Sequence, residues 1–354
     1  MNVQIVNEGT GQFQISTGIK KSELKNLGLN KKAKSIQFAS PLKLEEIEML
    51  ENYLFSKRPD ILLRVFGHYS TLCDLTFLRK IPSLRKFSAD CLMEAKGIET
   101  VSELKNLEVL GVGIYNLESF EFLENINSNI KELYLEKTKS KKPKISMISR
   151  FSQLESLYLE SQQKGIEVIN SLKKLKKITL RSITTRNLEY LENLNELWRI
   201  ELKLGGIKEF DSLKKIPNLK YLELWQIRGL NNLNFISELF KLQMLSLQSL
   251  RNVESFPDLS NLNYLRRVGL ENMKNLNSLE RFRNCKNLKE FIFYDASNFE
   301  PKSILPLLQN PSLENISCWF GSNRKNNEFK KLVTEFNKST EIKEFEINTV
   351  PNTV

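Results

Sequence analysis

One phrase recurs along this chain and restricts its fold more than any other feature. It is an apolar residue, two of any kind, a second apolar residue, one of any kind, and a third apolar residue. It runs LRKFSA from Leu84, LEVLGV from Leu107, IKELYL from Ile130, LESLYL from Leu154, LKKITL from Leu175 and LWRIEL from Leu197. It continues as LKYLEL from Leu219, LQMLSL from Leu242, LRRVGL from Leu265, LKEFIF from Leu288, LENISC from Leu313 and IKEFEI from Ile342. Successive starts lie 21 to 25 residues apart, with a last interval of 29 at the end where terminal repeats are expected to be atypical. Two weaker copies, AKSIQF from Ala33 and LLRVFG from Leu62, precede the series. Alternate residues of a strand face opposite sides, so in LKYLEL Leu222 and Leu224 turn inward while Tyr221, Glu223 and Trp225 turn outward. One such unit cannot bury its apolar side alone, but stacked units can. Upstream residues such as Ile216 and downstream ones such as Leu230 and Leu233 close the core from the far side.

The phrase and its repetition resemble the leucine-rich-repeat family, whose signature is L-x-x-L-x-L. The resemblance implies an α/β solenoid, a leucine-rich-repeat horseshoe of about 12–14 repeats with a concave parallel β-sheet and helices or turns on the convex side. There is one departure. Many members carry an asparagine eight residues after the first leucine; here Ile183, Gly205, Ile227, Leu250 and Met273 stand there, closer to intracellular variants without an asparagine ladder. Residues 1–32 read as an N-terminal capping segment that begins with two short strands, Val3 and Ile5 then Phe13 and Ile15, around an Asn-Glu-Gly-Thr-Gly turn. The repeats fill 33–350. Phe329, Leu332, Val333 and Phe336 have helical spacing and predict a capping helix near 326–338. Residues 41–55 also read as helix, with Pro41 at its start.

Composition excludes several classes. Apolar residues make up 40% of the 354, and 14 Gly and 10 Pro are too few for low-complexity linker. No apolar run is long enough for a membrane span, and the N-terminus lacks the pattern of a secretory signal. Cys73, Cys91, Cys285 and Cys318 form no closely spaced pair, which suits reduced thiols and a cytoplasmic protein. Cys318 falls at a core position, and Cys91 and Cys285 at turns. The single histidine, His68, leaves few metal-site or triad options and reads as a surface or loop histidine. Glu45 and Glu46 are neighbours on a helix and do not face each other, so they read as a solvated face. The motifs of phosphate-binding, dinucleotide-binding and nucleophile-elbow folds are absent. We therefore expect no enzyme, no cofactor, no metal and no small-molecule substrate.

The outward positions are the second, fourth and sixth after each first leucine. Aromatics there are Tyr134, Tyr158, Tyr221, Trp225, Tyr294 and Trp319, residue types enriched among interface anchors. Tyr134 and Tyr158 are lateral neighbours. The sixth-position column runs Glu136, Glu160, Arg181, Lys203, Trp225, and like charges side by side cost stability unless diagonal pairs or a partner offset them. With Glu223 and Glu271 these residues make up the candidate partner-binding set. Acids outnumber bases on this face, while the whole chain carries +11. That inversion suits a basic protein partner and disfavours nucleic acid in the concave groove, because phosphate contacts dominate such binding. An inhibitor or immunity-type protein is the most concrete form of this expectation. The alternative is nucleic-acid or anionic-surface binding through the basic convex side; the lysine run EKTKSKKPK, with Lys137, Lys139, Lys141, Lys142 and Lys144, lacks interleaved aromatics and reads as a solvated loop leaving the sheet at its edge, with nucleic-acid binding as the other reading.

Overall fold

The computed structural model describes residues 2–68, 71–140, 143–343 and 345–347. The chain divides into two units, Met1–Leu175 and Lys176–Val354. Lys141 and Lys142 of the lysine run, and Glu344 within IKEFEI, lie outside the described residues.

The first unit opens with an antiparallel hairpin, Val3–Asn7 against Gln12–Ile15. Gly11 has a φ of 67°, and a Cβ there would lie 1.9 Å from the Lys32 carbonyl oxygen, so only glycine closes this corner. Parallel strands follow at Ser35–Phe38, Leu62–Gly67, Lys86–Leu92, Val109–Ile114, Glu132–Leu135 and Ser156–Glu160, each beside its predecessor. Two helical stretches back the early strands, Lys21–Leu29 and Leu44–Leu50, the latter running on as a π-helical turn, Glu51–Phe55. Pro41 does not start that helix: Lys43 is its N-cap, and the Glu46 carboxylate accepts from the backbone N–H of Lys43 at 2.7 Å and of Gly18 at 2.5 Å. Glu46 is therefore buried, not on a solvated face, because its two oxygens serve two orphan donors.

The second unit carries strands Lys177–Arg181, Arg199–Lys203, Tyr221–Trp225, Met244–Gln248, Arg267–Glu271, Glu290–Tyr294 and Asn315–Cys318, paired parallel in one unbroken register. Lys177, Arg199, Tyr221, Met244, Arg267, Glu290 and Asn315 consequently stand side by side, and each later position forms its own column. Inward residues such as Ile200, Leu202, Leu222, Leu224, Leu245 and Leu247 are fully buried. Short 3-10 turns, among them Asp211–Lys215 and Asn234–Glu238, close the far side through Leu213 and Ile236. Toward the C-terminal end phenylalanine replaces leucine, and Phe256, Phe282, Phe291, Phe293 and Phe299 pack ring on ring with centroids 4.7–6.5 Å apart.

The turn leaving each strand explains how the repeats manage with so few ladder amides. The seventh residue after the first leucine adopts left-handed backbone: Cys91, Ser161, Ser182, Leu204, Gln226, Ser249, Asn272 and Asp295 have φ between 52° and 65°, or 51° at Asn272. In the second unit that conformation aims each N–H at the sixth-position carbonyl of the next repeat. Ser182 donates to Lys203, Leu204 to Trp225, Gln226 to Gln248, Ser249 to Glu271 and Asn272 to Tyr294, at 2.7–3.0 Å. With the backbone satisfied, the eighth position is free to be apolar, and Ile183, Ile227, Leu250 and Met273 are buried there. Polar residues do occupy it in two repeats of the first unit, which the sequence reading overlooked: Gln162, fully buried, donates to the Thr138 hydroxyl at 3.0 Å.

Three expectations about the repeats change. The early copy assigned to LLRVFG begins two residues sooner, at Asp60, since Leu63 pairs with Phe87 and both Leu63 and Val65 are buried. The helix near the C-terminus spans Asn323–Glu335, with Ser322 as its cap and Phe329 and Val333 buried. The described residues of IKEFEI, Ile342, Lys343 and 345–347, form no strand. Past the helix only Ser339 bridges to Asn315, and the chain then leaves the sheet's growing edge.

Candidate functional site

The outward side chains of each unit make up the candidate site, and packing decides how many of them are available. In the first unit Tyr134 and Tyr158 are register partners whose rings lie 6.3 Å apart, tilted by 32°. Each hydroxyl donates to a carboxylate two residues away on its own strand, Tyr134 to Glu132 at 2.8 Å and Tyr158 to Glu160 at 3.2 Å. Burial and the charge of Glu132 push the Tyr134 phenol up to about 12, so it remains a donor at neutral pH. The ring stays partly exposed.

Above these tyrosines lies an acidic group. Asp90 is buried because Arg64 grips it with two nitrogens and the Ser88 hydroxyl donates to it at 2.7 Å. Arg64 also donates to Gln37 at 2.8 Å. Glu136 lies between Asp90 and Glu160 in this column; burial first, then those two charges, raises its carboxyl above the ordinary range. Gly113 makes that position sterically accessible, for a Cβ there would sit 2.2 Å from a Glu136 oxygen. Arg64 and Gly113 were missed as site residues. Arg64 belongs to a weak copy of the phrase, and Gly113 offered only a bare position between two acids as its signal.

In the second unit the outward charges are largely spent on one another. Glu201 accepts from Arg199 at 2.6 Å and Lys203 at 2.7 Å, and Lys203 also reaches Glu223 at 3.0 Å. Burial alone would raise the Glu201 carboxyl and lower the Lys203 amine, but the pairing outweighs it and moves both the other way. The juxtaposition of Arg181 and Lys203 therefore needs no partner to offset it, since Lys203 has two carboxylates of its own. Tyr221 proves buried, at 7% exposure: its hydroxyl donates to Glu223 at 2.8 Å and the Arg199 guanidinium covers its ring at 4.2 Å. Burial and the neighbouring Glu223 raise its phenol well above its ordinary value. Tyr221 and Glu223 thus brace the sheet. Arg181 stacks on Trp225 at 5.4 Å.

What remains presented lies at the sixth positions of the last strands. Glu271 is exposed, Tyr294 is 47% exposed and Trp319 is 56% exposed. Glu290, which also stands at an outward position of its repeat, is buried under Arg267 and the backbone N–H of Lys343.

The features that might carry chemistry resolve into packing. His68 is buried, its Nδ1 3.0 Å from the Phe66 carbonyl and its ring edge-on to Phe38 at 6.2 Å, so of the two readings expected it is the loop-satisfied histidine and not the surface one. It borders an apolar hollow of about 420 Å³ with Pro41, Leu44, Ile47 and Phe77. A larger trough of about 580 Å³ is lined mainly by asparagines, Asn231, Asn232, Asn234, Asn252 and Asn275, together with Glu254 and Ser255. Cys73 and Cys285 are buried thiols pushed up to about 12 by burial and a nearby aspartate; Cys285 follows a turn yet sits in the core. Cys318 is buried too, and Cys91 is exposed at its left-handed turn. Among the described residues no group of three or more His, Cys, Asp or Glu is placed to hold a metal, and no helix is long and apolar enough to cross a membrane.

No profile of a known protein family matches the chain, and no curated protein matches it. Solved structures do. An internalin (inlF) of Listeria monocytogenes superposes with a TM-score of 0.57 at 18% identity, covering 87% of each chain. A leucine-rich-repeat protein of Leptospira interrogans covers 92% of this chain and 100% of its own, at 15% identity and a TM-score of 0.48. The chain has the leucine-rich-repeat fold. The superposition with the internalin joins the strand register and the left-handed strand exits as evidence for that fold. In this fold the outward columns of each unit are fixed by the repeat itself, so side-chain choice there is free of core duty.

Proposed function

We propose that this leucine-rich-repeat protein is a non-catalytic module that binds a protein partner on the outward face of its strands. One observation carries the reading: Tyr294 and Trp319 stand about half exposed on a rigid sheet, where neither fills a core nor caps a charge. Large rigid aromatics of this kind supply binding energy at low entropic cost. Within the second unit Trp225 and Glu271 extend the same surface along its columns, and the first unit presents Tyr134 and Tyr158 on its own outward face. Tyr221, Glu223 and Lys203 are assigned to the support of that surface.

The partner we favour is basic. Glu136 and Glu160 stand together on the first unit's face; burial first, then the charges of Asp90 and Glu160, raises the Glu136 carboxyl, and a lysine or arginine placed beside the two glutamates would offset the repulsive part. A cytoplasmic inhibitor or immunity-type protein fits this build, with unpaired thiols suiting a reducing compartment. The test is affinity capture with the full chain and with a Tyr294→Ala/Trp319→Ala variant. A protein retained by the wild type and weakened at least tenfold by the variant is expected. Retention that ignores both aromatics and is equally indifferent to Glu136→Gln would end this reading.

A further inference from the structure

The stretch that was expected to form a last strand does something else. After Ser339 the chain crosses the second-position end of the outward face, over strands Arg267–Glu271 and Glu290–Tyr294. The backbone N–H of Lys343 donates to a Glu290 oxygen at 2.9 Å, and Arg267 donates to the Lys343 carbonyl. Arg266 donates to the Glu346 carbonyl at 3.0 Å. The Phe345 ring lies beneath both guanidiniums, with Arg267 at 4.9 Å and Arg266 at 5.0 Å from its centroid. The Lys343 amine reaches toward Glu314 at 3.9 Å.

These contacts have the form of ligand recognition. Backbone donors and acceptors of an extended segment are read by side chains of the sheet, and one aromatic ring is held by two cations. Glu290 is buried and Arg267 partly buried, although their positions in the repeat face outward. The sixth-position end of the same strands stays open at Glu271, Tyr294 and Trp319.

We propose that the segment carrying Lys343, Phe345 and Glu346 is an intramolecular ligand of the outward face, docked in a peptide site formed by Arg266, Arg267 and Glu290, and that it gates access to these two strands. The site reads an extended segment with an aromatic residue two positions after the residue whose N–H meets Glu290. Tethering supplies an effective concentration on the order of millimolar, so modest contacts suffice to keep the tail in place. The gate rests on the reading of this face as the binding surface. A partner that spreads from Trp319 and Tyr294 toward the second-position end has to displace the tail first.

The test is a titration of a labelled synthetic peptide, TEIKEFEI, the sequence of residues 340–347, into three full-length proteins. These are the wild type, a Lys343→Pro/Phe345→Ala variant whose own tail has lost its donor and its ring, and that variant with Arg267→Lys added. The released variant should bind the peptide at least tenfold more tightly than the wild type, and the Arg267→Lys addition should remove most of that gain. A peptide with alanine in place of its phenylalanine should bind the released variant at least tenfold more weakly; this control cannot be confused with misfolding. Equal binding to wild type and released variant, or no binding to the released variant, would overturn the proposal. The titration needs no partner. A docked tail with no captured protein would remove only the partner reading, and a captured protein with an undocked tail would remove only the gate.

Discussion

At the scale of single residues, the left-handed strand exit sets a cost that depends on what stands there. Ser249 has a φ of 54° and donates its N–H to Glu271 at 2.9 Å, so its backbone is held by the next repeat whatever its side chain. A β-branched residue is poorly tolerated in this conformation. Ser249→Val should destabilise by about 1–2 kcal/mol, whereas Ser249→Gly, which trades the hydroxyl's contact with Asn272 for relief of strain, should stay within about 0.5 kcal/mol in urea melts. Glu136 is the complementary case, a residue whose charge is disfavoured by the fold. Its folded carboxyl titrates above the unfolded one, so whatever it contributes to stability is present while it is protonated and lost as pH rises through the folded value. Glu136→Gln should therefore raise the melting temperature relative to wild type at pH 7. The difference should vanish below the ordinary glutamate range; an unchanged difference across pH 3.5–7.5 would assign the effect to packing instead.

At the scale of the element, each short strand divides its side chains between core and face, and the two sides carry unequal energies. Leu222 is fully buried, and Leu222→Asp places an unpaired carboxylate in the core at a cost of about 3–5 kcal/mol. Its neighbour Glu223 faces outward, and from sequence its replacement by alanine is expected to be nearly neutral. The structure gives Glu223 the Tyr221 hydroxyl and the Lys203 amine as partners, so Glu223→Ala should cost about 1 kcal/mol. Denaturant midpoints for the two variants should differ severalfold in shift; equal shifts would mean that the strand is inverted. The outward columns owe their order to the register, which sets Glu201 beside Glu223 and Lys203 beside Trp225 and so lets Lys203 bridge both carboxylates.

At the scale of the whole molecule, a repeat protein is stabilised by neighbour-to-neighbour packing and loses structure first where a neighbour is missing. The helix Asn323–Glu335 covers the final core layer of the second unit through Phe329, whose ring packs on Phe320 at 5.6 Å, and Val333. Phe329→Ala should cost about 3–5 kcal/mol locally. Hydrogen exchange should report this as faster opening of Asn315–Cys318, with Tyr221–Trp225 nearly unchanged. The cap also redirects the chain: the strand-like phrase that follows it finds no sheet edge to extend and lies instead across residues of the outward face.

The sequence by itself determined the fold, because one spacing repeated at near-constant intervals admits a single way of burying the leucines at Leu219, Leu222 and Leu224 and their counterparts. It also determined which side of each strand looks outward, since alternation along a strand is a local property of the backbone. It could not decide which outward residues remain available. Tyr221 and Glu290 have the same periodic address as Tyr294 and Trp319, yet Arg199 covers the first and Arg267 with Lys343 the second. Those covers come from the adjacent repeat or from 53 positions along the chain. Local pattern contains no information about such distances. The fate of IKEFEI was decided in the same way: its phrase specifies a strand, but a strand needs a neighbour to pair with, and only the tertiary structure shows that two arginines and a glutamate take that neighbour's place.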